Sequence, residues 1–317
     1  MFASRGHTTS WQGKMEVSYR QAALFLRHAV LASRTVPQTR CLCNTRSIST
    51  VKLECDTFGK RTNNTSPLVI LHGLFGSKQN WHSISRNLAR KIDRQILAID
   101  IRNHGESEHS DVMDYPSMAA DVAATMKEEG VERGILVGHS MGGKVAMTLA
   151  LQEAPLVEKL IVVDTTPTTS AGKIVFPKII EGMKNIKFHT EWTLSKTRSE
   201  ADKTLLQTIP DLGVRQFILT NLVEDDNGWF SWRVNIAAIE KNLEQIWSFP
   251  QFKHVSYHGD TLFLGGGKSP YISESHYPEI KRLFPKALVT HIPDSGHWVH
   301  TEKPKEFMEA VTDFIRK

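Results

Sequence analysis

The chain has 317 residues, enough to bury a sizeable core in one large domain or two modest ones. Its 40% hydrophobic and 23% charged composition is ordinary for a globular protein, and no apolar run approaches the roughly 18 residues that would suggest a membrane span. The formal net charge of +5 is unevenly placed: residues 1–49 hold seven Lys or Arg against one acid, while the rest carries 32 basic and 33 acidic residues, which argues against a nucleic-acid surface on the main body.

The first 49 residues carry Arg5, Lys14, Arg20, Arg27, Arg34, Arg40 and Arg46, many Ser and Thr, and Glu16 as their one acid. VSYRQAALFLRHAVLAS can form a helix with Ala, Leu and Phe on one side and Arg20, Arg27 and His28 nearer the other. Arg-rich, Ser-rich, acid-poor and amphipathic is the pattern of a mitochondrial transit peptide. RCLCNTRSIST resembles the Arg-x-hydrophobic-x-x-Ser/Thr processing signal of mitochondrial precursors, which places the mature start near Thr50 and the protein in the mitochondrion, with the matrix as the expected compartment. A basic tail with no address is the alternative; a secretory signal is disfavoured because Arg27 interrupts the apolar stretch. Cys41 and Cys43 fall in this segment, leaving Cys55 alone in the main body, so no disulfide framework is possible there, as suits a reducing compartment.

From residue 51 short apolar runs alternate with helical patterns. PLVILHG, QILAID, GILVGHS, KLIVVD, TLFLGG and ALVTHIP read as strands, and 79–90, 115–129, 140–153, 276–284 and 304–316 as helices. Buried apolar strands alternating with helices predict an α/β fold with a mostly parallel sheet covered on both faces. The alternation stops after Asp164, where helical patterns at 175–186, 197–208, 211–222 and 234–247 follow with no clear parallel strand. The expected organisation is therefore a core of 50–164 and 252–317 interrupted by a helical insertion at 165–251.

GILVGHSMGGKVAMTLALQ contains Gly138-His139-Ser140-Met141-Gly142 between a strand and an apolar-spaced helix, the setting that a G-x-S-x-G nucleophile requires. The glycines let the chain turn sharply, and the helix N-terminus favours developing negative charge beside the serine. With these residues the chain, from about residue 51 to its end, resembles the alpha/beta-hydrolase superfamily. LVILHGLFGSKQNW is similar to its HG oxyanion loop, ILAIDIRNHGESEHS to its D-x-R-x-x-G-x-S turn, and PDSGHWVHTEKP to its histidine segment. HGLFGS, DIRNHGES, VGHSMGGK and LTNLVE together resemble the mitochondrial abhydrolase-domain esterases described as sn-1-specific diacylglycerol lipases, and their short bacterial esterase relatives.

Two backbone N–H groups are expected to form an oxyanion hole, one from Met141 and one from Leu74, with Phe75 as the neighbouring candidate. His72 is expected to hold its loop in shape, and Arg102, His104 and Ser107 to be structural. Among fourteen histidines, His297 stands after the last strand and before the last helix, where its loop can come over the nucleophile and accept the serine proton. His291 and His300 lie on either side of that loop and are poorer candidates. Phe176, Met183, Phe217, Leu222, Trp229, Phe230 and Trp232 are available to line an acyl pocket, or to form the insertion's own core.

A carboxylate is needed to orient His297. In many members of the resembled family it follows the strand that reads TLFLGG here, but that loop offers Gly265, Gly266, Gly267 and Lys268, and Glu274 only later. Asp260 precedes its strand, Asp294 is close to His297 in sequence, and Asp225 and Asp226 lie in a polar turn. Asp164 ends the strand directly after the nucleophile helix, and adjacent parallel strands bring their C-terminal ends together. Some members of the resembled superfamily take their acid from this earlier strand, so Asp164 is the expected partner, with a turn-capping Asp as the alternative.

A Ser140, His297 and Asp164 set implies acyl transfer to water, with no metal or organic cofactor. The resemblance points to acylglycerols or other lipid esters. Thioester, amide or carbon–carbon bond hydrolysis on the same residues stays open, as does binding and protection of a mitochondrial protein complex. N-terminal sequencing of the protein from isolated mitochondria is expected to begin at about residues 48–50. A mature chain still starting at Met1, or found outside mitochondria, would contradict the leader.

Overall fold

The computed structural model describes residues 49–62, 65–169 and 175–317, so all of the predicted leader except Ser49 lies outside the described residues. Seven strands form one sheet: β1 (Cys55–Phe58), β2 (Leu68–Leu71), β3 (Ile96–Ile99), β4 (Gly134–His139), β5 (Val157–Val163), β8 (Asp260–Gly266) and β9 (Ala287–Ile292), while β6 and β7 pair elsewhere. Their order is β1-β3-β2-β4-β5-β8-β9. All pairs are parallel except β1 with β3.

Both faces of the sheet are buried, so its strands read as continuous apolar runs rather than alternating ones. Leu68, Ile70, Ile135 and Val137 face a core built with Leu88 of helix α1 (His82–Ile92) and Phe307 and Val311 of helix α11 (Pro304–Arg316). Val69, Leu71 and Leu136 face the other core, with Met118 and Val122 of α2 (Tyr115–Glu128) and Val145 and Leu149 of α3 (Met141–Gln152). Strand β1 was not among the expected elements. It is a partly exposed edge strand without a buried apolar run, held by pairing with β3.

The insertion contains α4 (Val175–Lys184), α5 (Leu194–Leu205), α6 (Leu212–Leu219), the antiparallel pair β6 (Leu222–Glu224) and β7 (Phe230–Trp232), then α7 (Ile236–Lys241) and α8 (Leu243–Trp247). Thr193, Asp211 and Asn235 cap α5, α6 and α7 by accepting a backbone N–H from the first turn. The helix expected over 211–222 stops at Leu219, and Leu222 enters the hairpin instead. Asp225 Oδ1 closes the hairpin turn by accepting the N–H of Asn227 at 2.9 Å and of Trp229 at 2.8 Å. The helix expected over 234–247 breaks at Asn242, whose Nδ2 donates to Asp111 O at 2.9 Å in the core. The remaining helices are α9 (Tyr277–Leu283) and α10 (Val299–Glu302).

Arg102 and Asp121 join the turn after β3 to α2. Arg102 Nε and Nη2 donate to the two Asp121 oxygens at 2.6 and 2.7 Å, with both side chains almost wholly buried. Burial pushes the Asp121 carboxyl up, against the pull of Arg102. Removing one partner of a buried pair leaves the other charge uncompensated. Arg102→Met is expected to cost about 3–5 kcal/mol in equilibrium denaturation, and an unchanged unfolding midpoint would show that the pair carries no such constraint.

Candidate active site

Ser140 sits between β4 and α3 with φ 53° and ψ −115°, a conformation that L-residues rarely adopt and that surrounding structure must hold. Its N–H donates to Val163 O at 2.9 Å, continuing the β4–β5 pairing past the strand end. A side chain at Gly142 would place its Cβ 2.4 Å from Leu71 O and 2.5 Å from His72 O. That close approach brings the start of α3 against the end of β2, so the loop after His72 and the amide of Met141 share one corner.

The next strand ends in the same way. Asp164 follows β5 at φ 49°, donates its N–H to Leu264 O at 3.0 Å and has no solvent exposure. Its Oδ2 accepts from His297 Nδ1 at 2.7 Å and from the Ser269 hydroxyl, and its Oδ1 accepts from Gly266 N–H at 3.0 Å. The end of β8 and the loop after it therefore supply donors to a carboxylate that follows the neighbouring strand. A Cβ at Gly266 would lie 2.1 Å from Gly296 O, so this position has no room for an acidic side chain. Glu274 is exposed in a short turn of helix, and Asp294 is mostly exposed and pairs with Lys268 at 3.1 Å. Neither approaches His297 within hydrogen-bond distance among the described residues. Ser140 Oγ likewise makes no hydrogen bond with His297 Nε2 among the described residues; such bonds are often long before substrate binds.

The loop after β2 is fixed by two neutral histidines. His72 Nδ1 donates to Gly73 O at 2.8 Å and its Nε2 accepts Ile101 N–H at 3.0 Å. His104 Nδ1 donates to Arg102 O at 3.0 Å, and its Nε2 accepts Phe75 N–H at 3.0 Å. Burial lowers both imidazoles, His104 to about 3. The Phe75 amide is thus occupied. Those of Leu74 and Met141 have no acceptor among the described residues, leaving both free to bind an oxyanion. Ser107 ties the same turn down, donating to Asp100 O at 2.6 Å.

Three further residues hold His297, and none was assigned a role from the sequence. His139 Nε2 donates to His297 O at 2.9 Å, and burial lowers this imidazole well below its ordinary range, keeping it neutral. Tyr271 stacks on His297 with ring centroids 4.3 Å apart and planes at 23°. Ser269 acts through Asp164, as described above. Ser269 and Tyr271 both lie in the stretch searched for a carboxylate, where the chemistry present is hydroxyl and aromatic.

Ser140 borders a cleft to which Phe176, Ile179, Val214, Phe217, Ile218 and Trp298 give apolar walls. Of the insertion residues considered for such a lining, Phe176 and Phe217 reach it. Met183, Leu222 and Phe230 are buried elsewhere, Trp229 is exposed, and Trp232 Nε1 donates to Met183 O at 3.1 Å. Among the described residues no group of three or more His, Cys, Asp or Glu is placed to hold a metal ion, and no helix is long and apolar enough to cross a membrane.

Residues 66–304 match the family of the alpha/beta hydrolase fold. The chain is 48% identical over 249 residues to the sn-1-specific diacylglycerol lipase ABHD11 of Xenopus laevis, covering 78% of this chain and 79% of that protein. It is 33% identical to the esterase YbfF of Escherichia coli, covering 80% of this chain and 94% of that protein. Among solved structures, a marine microorganism esterase superposes with a TM-score of 0.77 at 38% identity, over 84% of this chain and all of that one. The chain belongs to the alpha/beta-hydrolase family. Within that family it is an enzyme of the carboxylic ester hydrolase class.

The geometry separates two carboxylates. Asp164→Asn is expected to lower ester turnover sharply, by up to about 10⁴ where the partner residue fixes the histidine tautomer, without unfolding the protein. Glu274→Gln is expected to leave turnover within about twofold, as for a surface substitution. Steady-state kinetics with a circular-dichroism check of folding distinguishes them; the reverse pattern would move the acid to the later loop.

Proposed function

We propose that the protein hydrolyses carboxylic esters through an acyl-enzyme on Ser140, with acylglycerols such as diacylglycerol as the substrate class. The observation that carries this reading is the strained Ser140 at the edge of an apolar cleft, beside two unoccupied backbone amides. Ser140 Oγ attacks the ester carbonyl and passes its proton to His297 Nε2. The N–H groups of Leu74 and Met141 receive the oxyanion. His297 returns the proton to the leaving alcohol as the acyl carbon–oxygen bond breaks. Water then attacks the acyl-enzyme, His297 takes its proton, and the acid departs as Ser140 is restored. Asp164 holds the His297 tautomer with its proton on Nδ1 and stabilises the imidazolium formed in each half-reaction.

The acylglycerol assignment draws on the diacylglycerol lipase activity for which the ABHD11 relatives are named and on the apolar walls that Phe176, Phe217 and Trp298 give the cleft. The basic, acid-poor residues 1–49 support a mitochondrial matrix location for this activity.

Covalent chemistry tests the reading directly. Purified protein is expected to react with a fluorophosphonate at Ser140, and diacylglycerol is expected to slow that labelling. Ser140→Ala should abolish it with the fold intact. Labelling that persists in the alanine variant would assign the nucleophile elsewhere; labelling unaffected by diacylglycerol would remove the acylglycerol assignment.

A further inference from the structure

A second, small cavity meets the first at Ser140. Its walls include Tyr115, Lys144, Thr165, Trp247 and Tyr271 beside the apolar Leu74, Phe176 and Ile246, with no carboxylate among them. Lys144 lies one helical turn after Ser140 on α3 and is almost wholly buried. Its Nζ donates to Trp247 O at 2.8 Å and Ser248 O at 3.0 Å, and stands 5.8 Å from the centroid of the Tyr115 ring. An ammonium has three N–H bonds, and the third has no acceptor among the described residues. Trp247 Nε1 is also a buried donor without a partner among the described residues. Two donors, one of them cationic, thus border a small cavity that offers them no anion of its own.

We propose that this cavity is a subsite for a carboxylate on the substrate, so that the enzyme also takes esters bearing a short, acid-terminated arm beside the scissile bond. The proposal rests on Ser140 being the nucleophile. Lys144 follows Ser140 by one turn, a rise of about 6 Å along α3, so a short diacid arm is the class to test. The cleft lined by Phe176 and Phe217 takes an apolar arm, and the Lys144 side takes the charged one.

The ionisation of Lys144 gives the subsite a pH signature. Burial alone lowers its ammonium to about 7. The other titratable groups on the walls are Tyr115 from α2 and Tyr271 from the loop after β8, and burial pushes both phenols up, so they stay neutral at physiological pH. An entering carboxylate restores the charge by drawing a proton onto Lys144. Its binding therefore weakens as pH rises above about 7, by up to tenfold per unit, the limit for one coupled proton.

The test compares ethyl hydrogen glutarate with ethyl 5-methylhexanoate, which has the same shape and no charge, by ethanol release from the purified enzyme. The wild type is expected to favour the acid ester, and its KM for that ester alone should climb above pH 7. Lys144→Met should lower the acid-to-neutral ratio of kcat/KM about tenfold to a hundredfold through KM, the size of a lost charge-assisted hydrogen bond. Trp247→Phe, which keeps its backbone carbonyl as an acceptor for Lys144, should lower the same ratio severalfold. The wild-type pH profile decides the matter if the Lys144 variant does not fold. If Lys144 only latches the end of α8, both esters change together and neither KM follows pH; that result would overturn the subsite. Turnover of the neutral ester alone would overturn it too. Failure of both esters together with absent fluorophosphonate labelling would instead overturn the nucleophile.

Discussion

The site depends on one buried negative charge. Asp164 has no contact with solvent, and a carboxylate taken out of water is costly unless donors replace its hydration. Three groups do so: the amide of Gly266, the hydroxyl of Ser269 and Nδ1 of His297. The first comes from the end of β8, the second from the loop after it and the third from the loop after β9. Satisfying this one charge therefore assembles three chain segments at the carboxyl end of the sheet. It also fixes which nitrogen of His297 carries the proton and which is left without one.

The glycines of TLFLGGGKSPYI follow from the same constraint. If the acid stood on β8, its loop would need a carboxylate side chain pointing at His297. Here the acid comes from β5, and β8 has only to lend a backbone N–H and let the histidine loop approach. Gly266 permits both, because its missing Cβ is the space that Gly296 O occupies. A hydroxyl three residues on at Ser269 completes the shell around Asp164. With the carboxylate following β5, the end of β8 and its loop support Asp164 through a backbone N–H and a hydroxyl.

This explains what could be read in advance. The parallel strands were legible because both faces are buried and each is an unbroken apolar run. Ser140, His297 and Asp164 were legible as positions because each closes or follows a strand whose neighbours the topology dictates. Contacts made by polar residues across long stretches of sequence were not. His139 was quoted as the variable residue of G-x-S-x-G, yet it holds a carbonyl 158 positions away. Strand β1 carries no apolar run, and the β6–β7 hairpin was hidden in a stretch read as helical because its strands have three residues each. Lys144 sits in an apolar helix pattern, and only the fold shows that its amine reaches the end of α8.

The insertion is bound to the machinery it covers. Asn221 Nδ2, at the start of the hairpin, donates to Phe75 O at 2.8 Å, while His104 Nε2 accepts Phe75 N–H from the core side. One residue of the oxyanion loop is therefore held by its carbonyl from the insertion and by its amide from the turn after β3. Asn235 N–H donates to Asn103 O at 3.0 Å in that same turn, and Tyr115 OH donates to Ile246 O on α8. The segment that lines the apolar cleft is hydrogen-bonded to the loop that carries Leu74, and Asn221 follows α6 by two residues. These asparagine contacts tie the insertion to the loop that carries Leu74 and to the turn after β3.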